Sequence, residues 1–187
     1  MVDKFINIEF DAGKITTALS RLQDATGNLT PAFREIKEVL IDSTKNRFKT
    51  STAPDGSQWA PNSQTTYEML LERKSGDYQD GKRIGTKKGY IRKDGRVSAR
   101  SATMLSGKQP LIDEGSLMEQ IEGRIEGQTL EIYSNLEYAA MQQFGGTKAE
   151  FPHLWGDIPA RPFLGVSAAD EAEILGIVNQ HIEQALE

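Results

Sequence analysis

Apolar residues along this chain recur mostly at helical spacing, interrupted by two short alternating stretches and one long interval with almost no pattern. Phe5, Ile6, Asn7, Ile8, Glu9 and Phe10 put Ile6, Ile8 and Phe10 on one side, which predicts a short strand. From Asp11 to Thr26, Ile15, Ala18, Leu19 and Leu22 share a helical face, and Gly27 is the expected stop. Phe33, Ile36, Leu40, Thr44 and Phe48 form one face of a second helix of about 20 residues, roughly 30 Å long. Thr30 is its expected cap, and Pro31 takes the first helical position, where a missing N–H costs nothing. Pro54-Asp55-Gly56-Ser57 reads as a turn that folds Trp59 back over this helix as a lid, and Thr65 to Arg73 as a short helix.

The pattern resumes at Pro110. Gly115-Ser116-Leu117 opens a short helix or extended segment. Residues 120–126 and 129–133 alternate with period two around Gly127-Gln128, which predicts a hairpin with Ile121 and Ile125 facing Leu130 and Ile132. Leu136, Ala140 and Phe144, with Tyr138 and Met141 alongside, give a helix ending at Gly145-Gly146. Ser167-Ala168-Ala169-Asp170 has the capping-box arrangement, with Asp where Glu or Gln is preferred. Ile174, Ile177, Val178, Ile182, Ala185 and Leu186 continue as a terminal amphipathic helix. The expected fold class is α+β: a small antiparallel sheet packed with N-terminal, central and C-terminal helices.

Composition changes this picture in one place. A chain of 187 residues is long enough for one domain with a real core, and it has no cysteine for thiol chemistry, zinc fingers or disulfides. No apolar run approaches the roughly 20 residues of a membrane span, and the start lacks a signal peptide, so a soluble cytoplasmic protein is expected. The net charge of −5 conceals an asymmetry: residues 72–108 hold eleven Lys/Arg against four Asp/Glu, a net of +7, which leaves −12 elsewhere. Within this segment, about 75–104 is too poor in large aliphatic residues to offset its ordering entropy. It is read as a long basic insertion loop, a flexible arm on a single domain of residues 1–187, with Lys87, Lys88 and Arg92 available to an acidic partner.

Catalytic chemistry finds no foothold, and no catalytic residue, metal ligand or cofactor is assigned. His153 and His181 are the only histidines and neither has a second ligand at metal spacing. Asp113-Glu114 reads as a solvated turn. Gly81 to Lys88 lacks the spacing of a phosphate-binding loop. The alternative function is nucleic-acid binding through 73–108, where Tyr78 and Tyr90 are interleaved with the cations. The acidic remainder opposes it.

A docking surface fits better. Arg161 is fixed between Pro159 and Pro162, which lowers the ordering cost of a contact, and arginine on a stiff loop is a common interface anchor. Arg161 and a Gly145-Gly146 hinge are therefore the expected exposed contacts. Trp59, Tyr138, Phe144 and Phe163 each read more simply as core. The order of Pro54–Pro61, Pro110–Leu117, Tyr138-Ala139 with Gln143-Phe144-Gly145, and Ile158-Pro159-Ala160-Arg161-Pro162-Phe163-Leu164-Gly165 resembles the Mu-like phage virion morphogenesis family. The resemblance runs from about residue 30 to the C-terminus, interrupted by the basic arm. Gln142 stands where members of that family often carry histidine. The resemblance implies a non-enzymatic virion part, present in the host cytoplasm during assembly and then in the virion at the tail or head–tail interface. It would complete the tail or join it to the head as a ring, by analogy a hexamer, against itself and tail tube or connector proteins. Pro159, Arg161, Pro162, Phe163, Gly145 and Gly146 would be its contacts, with DNA contact less favoured and no membrane involved.

Overall fold

The computed structural model describes residues 13–75, 78–79, 82–83, 99–113, 115–154 and 156–186. The strand expected from Phe5 to Phe10 lies outside them, as do Lys87, Lys88 and Arg92. The elements run α1 (Gly13–Thr26), α2 (Thr30–Thr50), α3 (Gln64–Ser75), β1 (Tyr78–Gln79), β2 (Lys82–Arg83), α4 (Ala99–Ser106), α5 (Ser116–Glu119), β3 (Ile121–Glu126), β4 (Thr129–Ser134), α6 (Ala139–Phe144) and α7 (Ala168–Leu186). This is an α+β fold. The chain divides into two compact units: Met1–Trp59 with Glu114–Glu187, and Ala60–Asp113.

In the first unit α2 is the spine, packed against α7 and against the β3–β4 hairpin, while α1 packs on α7. The expected apolar faces meet in one cluster: Ile15 and Leu22 of α1, Ala32, Phe33 and Ile36 of α2, and Ile174 and Val178 of α7, with Leu29 between. Leu40, Ile125, Leu130, Ile177 and Ile182 pack around it. Each fully buried Leu, Ile, Val or Phe side chain is worth about 1.5–3 kcal/mol. The start of α2 differs from expectation. Thr30 is already helical, Leu29 holds the cap position, and the Asn28 side-chain oxygen accepts the Thr30 N–H at 3.0 Å. The asparagine two residues earlier has taken the role assigned to the threonine.

The end of α2 turns the chain back on itself. Ser51 takes a left-handed conformation, φ 56°, that costs a non-glycine residue about 1–2 kcal/mol, and its N–H returns to the Arg47 carbonyl. Asp55 Oδ1 accepts the Ser57 N–H at 2.9 Å, closing the expected turn, and Thr52 pairs with Gln58. Trp59 then lies edge-on to Phe48, ring centroids 5.5 Å apart, as the expected lid. The hairpin also forms as read. Ile125 pairs with Leu130 and Gly123 with Ile132, while Ile121 stands opposite Ser134. Gly127 has φ 58° at the first corner of the two-residue turn, a position glycine fills without steric cost. At the start of α7, Asp170 Oδ2 accepts the Ser167 N–H at 2.7 Å while Ser167 Oγ accepts the Asp170 N–H at 3.1 Å. The capping box therefore closes with aspartate.

The second unit holds α3, the β1–β2 pair and α4. Tyr78 pairs with Arg83 and Gln79 with Lys82, and β1 packs on α3. The Lys108 ammonium donates to the Ile112 carbonyl and pairs with Asp113 at 2.8 Å, and Asn62 donates to the Lys108 carbonyl at 3.0 Å. The reading of 75–104 as a structureless loop is corrected at both ends. A two-residue strand pair forms at 78–83, and α4 begins at Ala99, where Ala102, Met104 and Leu105 supply the apolar content that the preceding stretch lacks.

Candidate docking surface

The two glycine-and-aromatic motifs, about a dozen residues apart in sequence, are laced together by polar groups. Gln143, almost fully buried on α6, accepts the N–H groups of Phe163 and Leu164 on Oε1 at 2.9 and 3.0 Å. Its Nε2 donates to the Leu164 carbonyl at 3.1 Å. One side chain thus satisfies three backbone groups of the second motif. The Arg161 N–H donates to the Gln142 carbonyl at 2.8 Å, and Gly146 and Ile158 exchange both backbone bonds, at 2.9 and 2.8 Å.

Gly145 sets how close the two strands of this lace can come. Its φ of 72° and ψ of −173° lie in a region open essentially to glycine alone. A Cβ there would meet Ala160 N and Ile158 O at 2.7 Å, both backbone atoms that cannot swing aside.

Below the lace, α2 and α7 anchor the second motif. Arg47 donates from Nη1 to the carbonyls of Phe163 and Gly165, at 2.8 and 2.9 Å, and from Nη2 to Asp170. Burial lowers the Arg47 pKa, and the neighbouring Asp170 carboxylate opposes that shift. Phe163 packs on Phe48 at 5.4 Å between centroids, and Trp59 Nε1 donates to the Pro162 carbonyl at 2.9 Å. Sequence reasoning missed Arg47, and it read Asp170 as a cap of α7 without its second role as the partner of a buried arginine. The signal available for Arg47 was a cation one residue from Phe48, next to the face assigned to the core.

Several expected roles are exchanged. Arg161, expected at the surface, is only 7% exposed, and its burial lowers its pKa. Backbone pairing to α6 pulls it inward, while Pro159 and Ala160 remain exposed and Pro162 is half-buried. Phe163 is fully buried. Tyr138 and Phe144, expected in the core, are 47% and 60% exposed, because α6 buries Ala139 and Gln143 rather than the face through Leu136, Ala140 and Phe144. Gly145-Gly146 is a close-packed joint and not a free hinge.

What the lace presents outward is a groove of about 690 Å³. Phe144, Gly145 and Gly146 line it with Thr147, Glu150 and Phe151, and Asp157, Ile158, Pro159 and Ala160 complete it. Phe151 is 38% exposed and lies edge-on to His153 at 6.2 Å. Glu150 Oε2 accepts from the Thr147 hydroxyl and N–H, which lowers the Glu150 pKa and keeps it ionised. Asp157 Oδ1 accepts the Lys148 N–H at 2.8 Å. His181 pairs with Glu35 at 2.9 Å, away from these motifs in sequence. No group of three His, Cys, Asp or Glu suited to a metal ion occurs among the described residues, and no helix of theirs is long and apolar enough to cross a membrane.

Comparison with known proteins matches this arrangement of motifs. The Mu-like prophage FluMu G protein 2 of Haemophilus influenzae is 26% identical over 179 residues, covering 95% of this chain and 96% of that protein. No solved structure gives a significant match. The profile of one family matches residues 10–110 and 86–183, which between them include α2, the turn at Pro54 and both laced motifs. The chain belongs to the phage virion morphogenesis family.

Proposed function

We propose that this protein is a non-enzymatic structural part of the virion, a ring subunit that completes the tail or joins it to the head. The observation that carries this reading is the family match together with a rigidly laced, outward-facing apolar groove in the matched motifs. Repeating head-to-tail contacts close into rings when the rotation allows, and a tail with cyclic symmetry favours a ring that shares it, here a hexamer. The contact surface lies on Phe144, Pro159 and Ala160, since Arg161 is buried. The −12 remainder of the chain and the +7 segment give neighbouring subunits complementary charge. Tail tube or connector proteins are the other partners.

Native mass spectrometry and a phage defective in this gene test the reading together. Six-subunit rings, and heads and tails that remain separate without the protein, are the expected results. A protein that stays monomeric at every concentration, or normal virions formed without it, would overturn the proposal.

A further inference from the structure

We propose that the groove between Phe144 and Ile158–Ala160 is the seat for the basic stretch Lys87–Arg92 of a second copy of this chain. The inference rests on the ring reading and names the joint within it. The groove combines two features. Phe144 and Phe151 are 60% and 38% exposed, so an apolar floor faces water. Glu150 and Asp157 stand at the same groove, where Glu150 Oε2 and Asp157 Oδ1 accept from backbone N–H groups and the Thr147 hydroxyl. An occupant must therefore bring an apolar or aromatic residue flanked by cations.

The chain carries such a sequence. Lys87-Lys88-Gly89-Tyr90-Ile91-Arg92 places an aromatic and a branched aliphatic residue between three cations, with no acid among them. Tyr90 suits an aromatic floor, since rings pair edge-on or offset and a tyrosine hydroxyl tolerates a wet rim. The cations suit Glu150 and Asp157. Nucleic acid suits the site poorly, because its phosphates would face both carboxylates. The groove is also built in advance: Gly146–Ile158 pairing, the Gly145–Ala160 approach and the Gln143 clasp hold its walls, so little ordering cost falls on binding.

The test uses two full-length variants that fail in opposite ways. Phe144→Ser damages the seat and keeps the basic stretch. Lys87→Glu/Lys88→Glu/Arg92→Glu damages the stretch and keeps the seat. Each alone should remain a monomer under conditions where the wild type associates. Mixed, they should form a one-to-one dimer of about twice 20.7 kDa that grows no further, because only one complementary contact is left. Thermal unfolding checks that each variant is folded, and Glu150→Lys replaces Phe144→Ser if the latter is not. Variants that assemble like the wild type overturn the groove as the seat while leaving the ring reading in place. Monomeric variants that do not pair on mixing overturn it too, since the stretch is then not received from a second copy. A wild type that never associates overturns both.

Discussion

Arg47 gives hydrogen bonds to the carbonyls of Phe163 and Gly165 as well as to Asp170, so its deletion orphans more than a counter-ion. A buried ion pair by itself is weak evidence for stability, because desolvating two charges offsets most of their attraction. Left without a donor, the buried Phe163 carbonyl carries a further penalty of about 1–3 kcal/mol, and the half-buried Gly165 carbonyl a smaller one. Asp170→Asn keeps an acceptor for Arg47 and for the Ser167 N–H, whereas Arg47→Met keeps none of the donors. Urea unfolding should therefore show Arg47→Met costing about 3–5 kcal/mol, and Asp170→Asn clearly less. Equal losses would mean that the charge pair, and not the grip on the carbonyls, dominates. The same logic moves Arg161 out of the interface: its burial means that truncation reports on folding before it reports on docking.

At the scale of elements, the short helix α6 decides the shape of the site by how it ends. Gly145 leaves the helix in a conformation that strains any other residue by about 1–3 kcal/mol, and an added Cβ would come within 2.7 Å of the Ala160 and Ile158 backbone. Gly145→Ala is expected to lower stability by about 3 kcal/mol or more, seen as a fall in the thermal midpoint. A near-neutral change would show that the two motifs can separate freely. The long helices were legible in sequence because several turns of apolar period average out exceptions, and the hairpin because period two flanks a turn-forming Gly127. The six residues of α6 span under two turns, too few to fix a face, and its burial runs through polar Gln143. Proline on both sides of Arg161 argued for stiffness, and stiffness does not determine exposure. The groove itself has no sequence signature. It exists because Gly146 pairs with Ile158, which brings Phe144 and Phe151 beside Pro159 and Ala160.

For the whole molecule, the segregation of +7 in residues 72–108 from −12 elsewhere makes the force that would close the proposed ring measurable. Exposed ion pairs are worth about 0–1 kcal/mol each and weaken with salt, as the screening length falls from about 10 Å at 0.1 M to about 3 Å at 1 M. Burial of Phe144 is not screened, and covering the 60% of it that is exposed contributes about 1–2 kcal/mol. Raising salt from 0.1 to 1 M should therefore increase the concentration needed for half-assembly, by about tenfold if salt removes about 1.4 kcal/mol per contact, without abolishing rings. Sedimentation velocity across this range measures it. If the proposed joint forms, duplex DNA added at 0.15 M salt should leave the assembly intact, because a basic stretch taken up by the groove of a second copy would not be offered to phosphate. Rings that dissolve as DNA is added, with protein shifting onto the DNA, would identify the segment as a nucleic-acid site. Rings that vanish by 0.3 M salt would show that charge alone holds the subunits and that Phe144 remains in water.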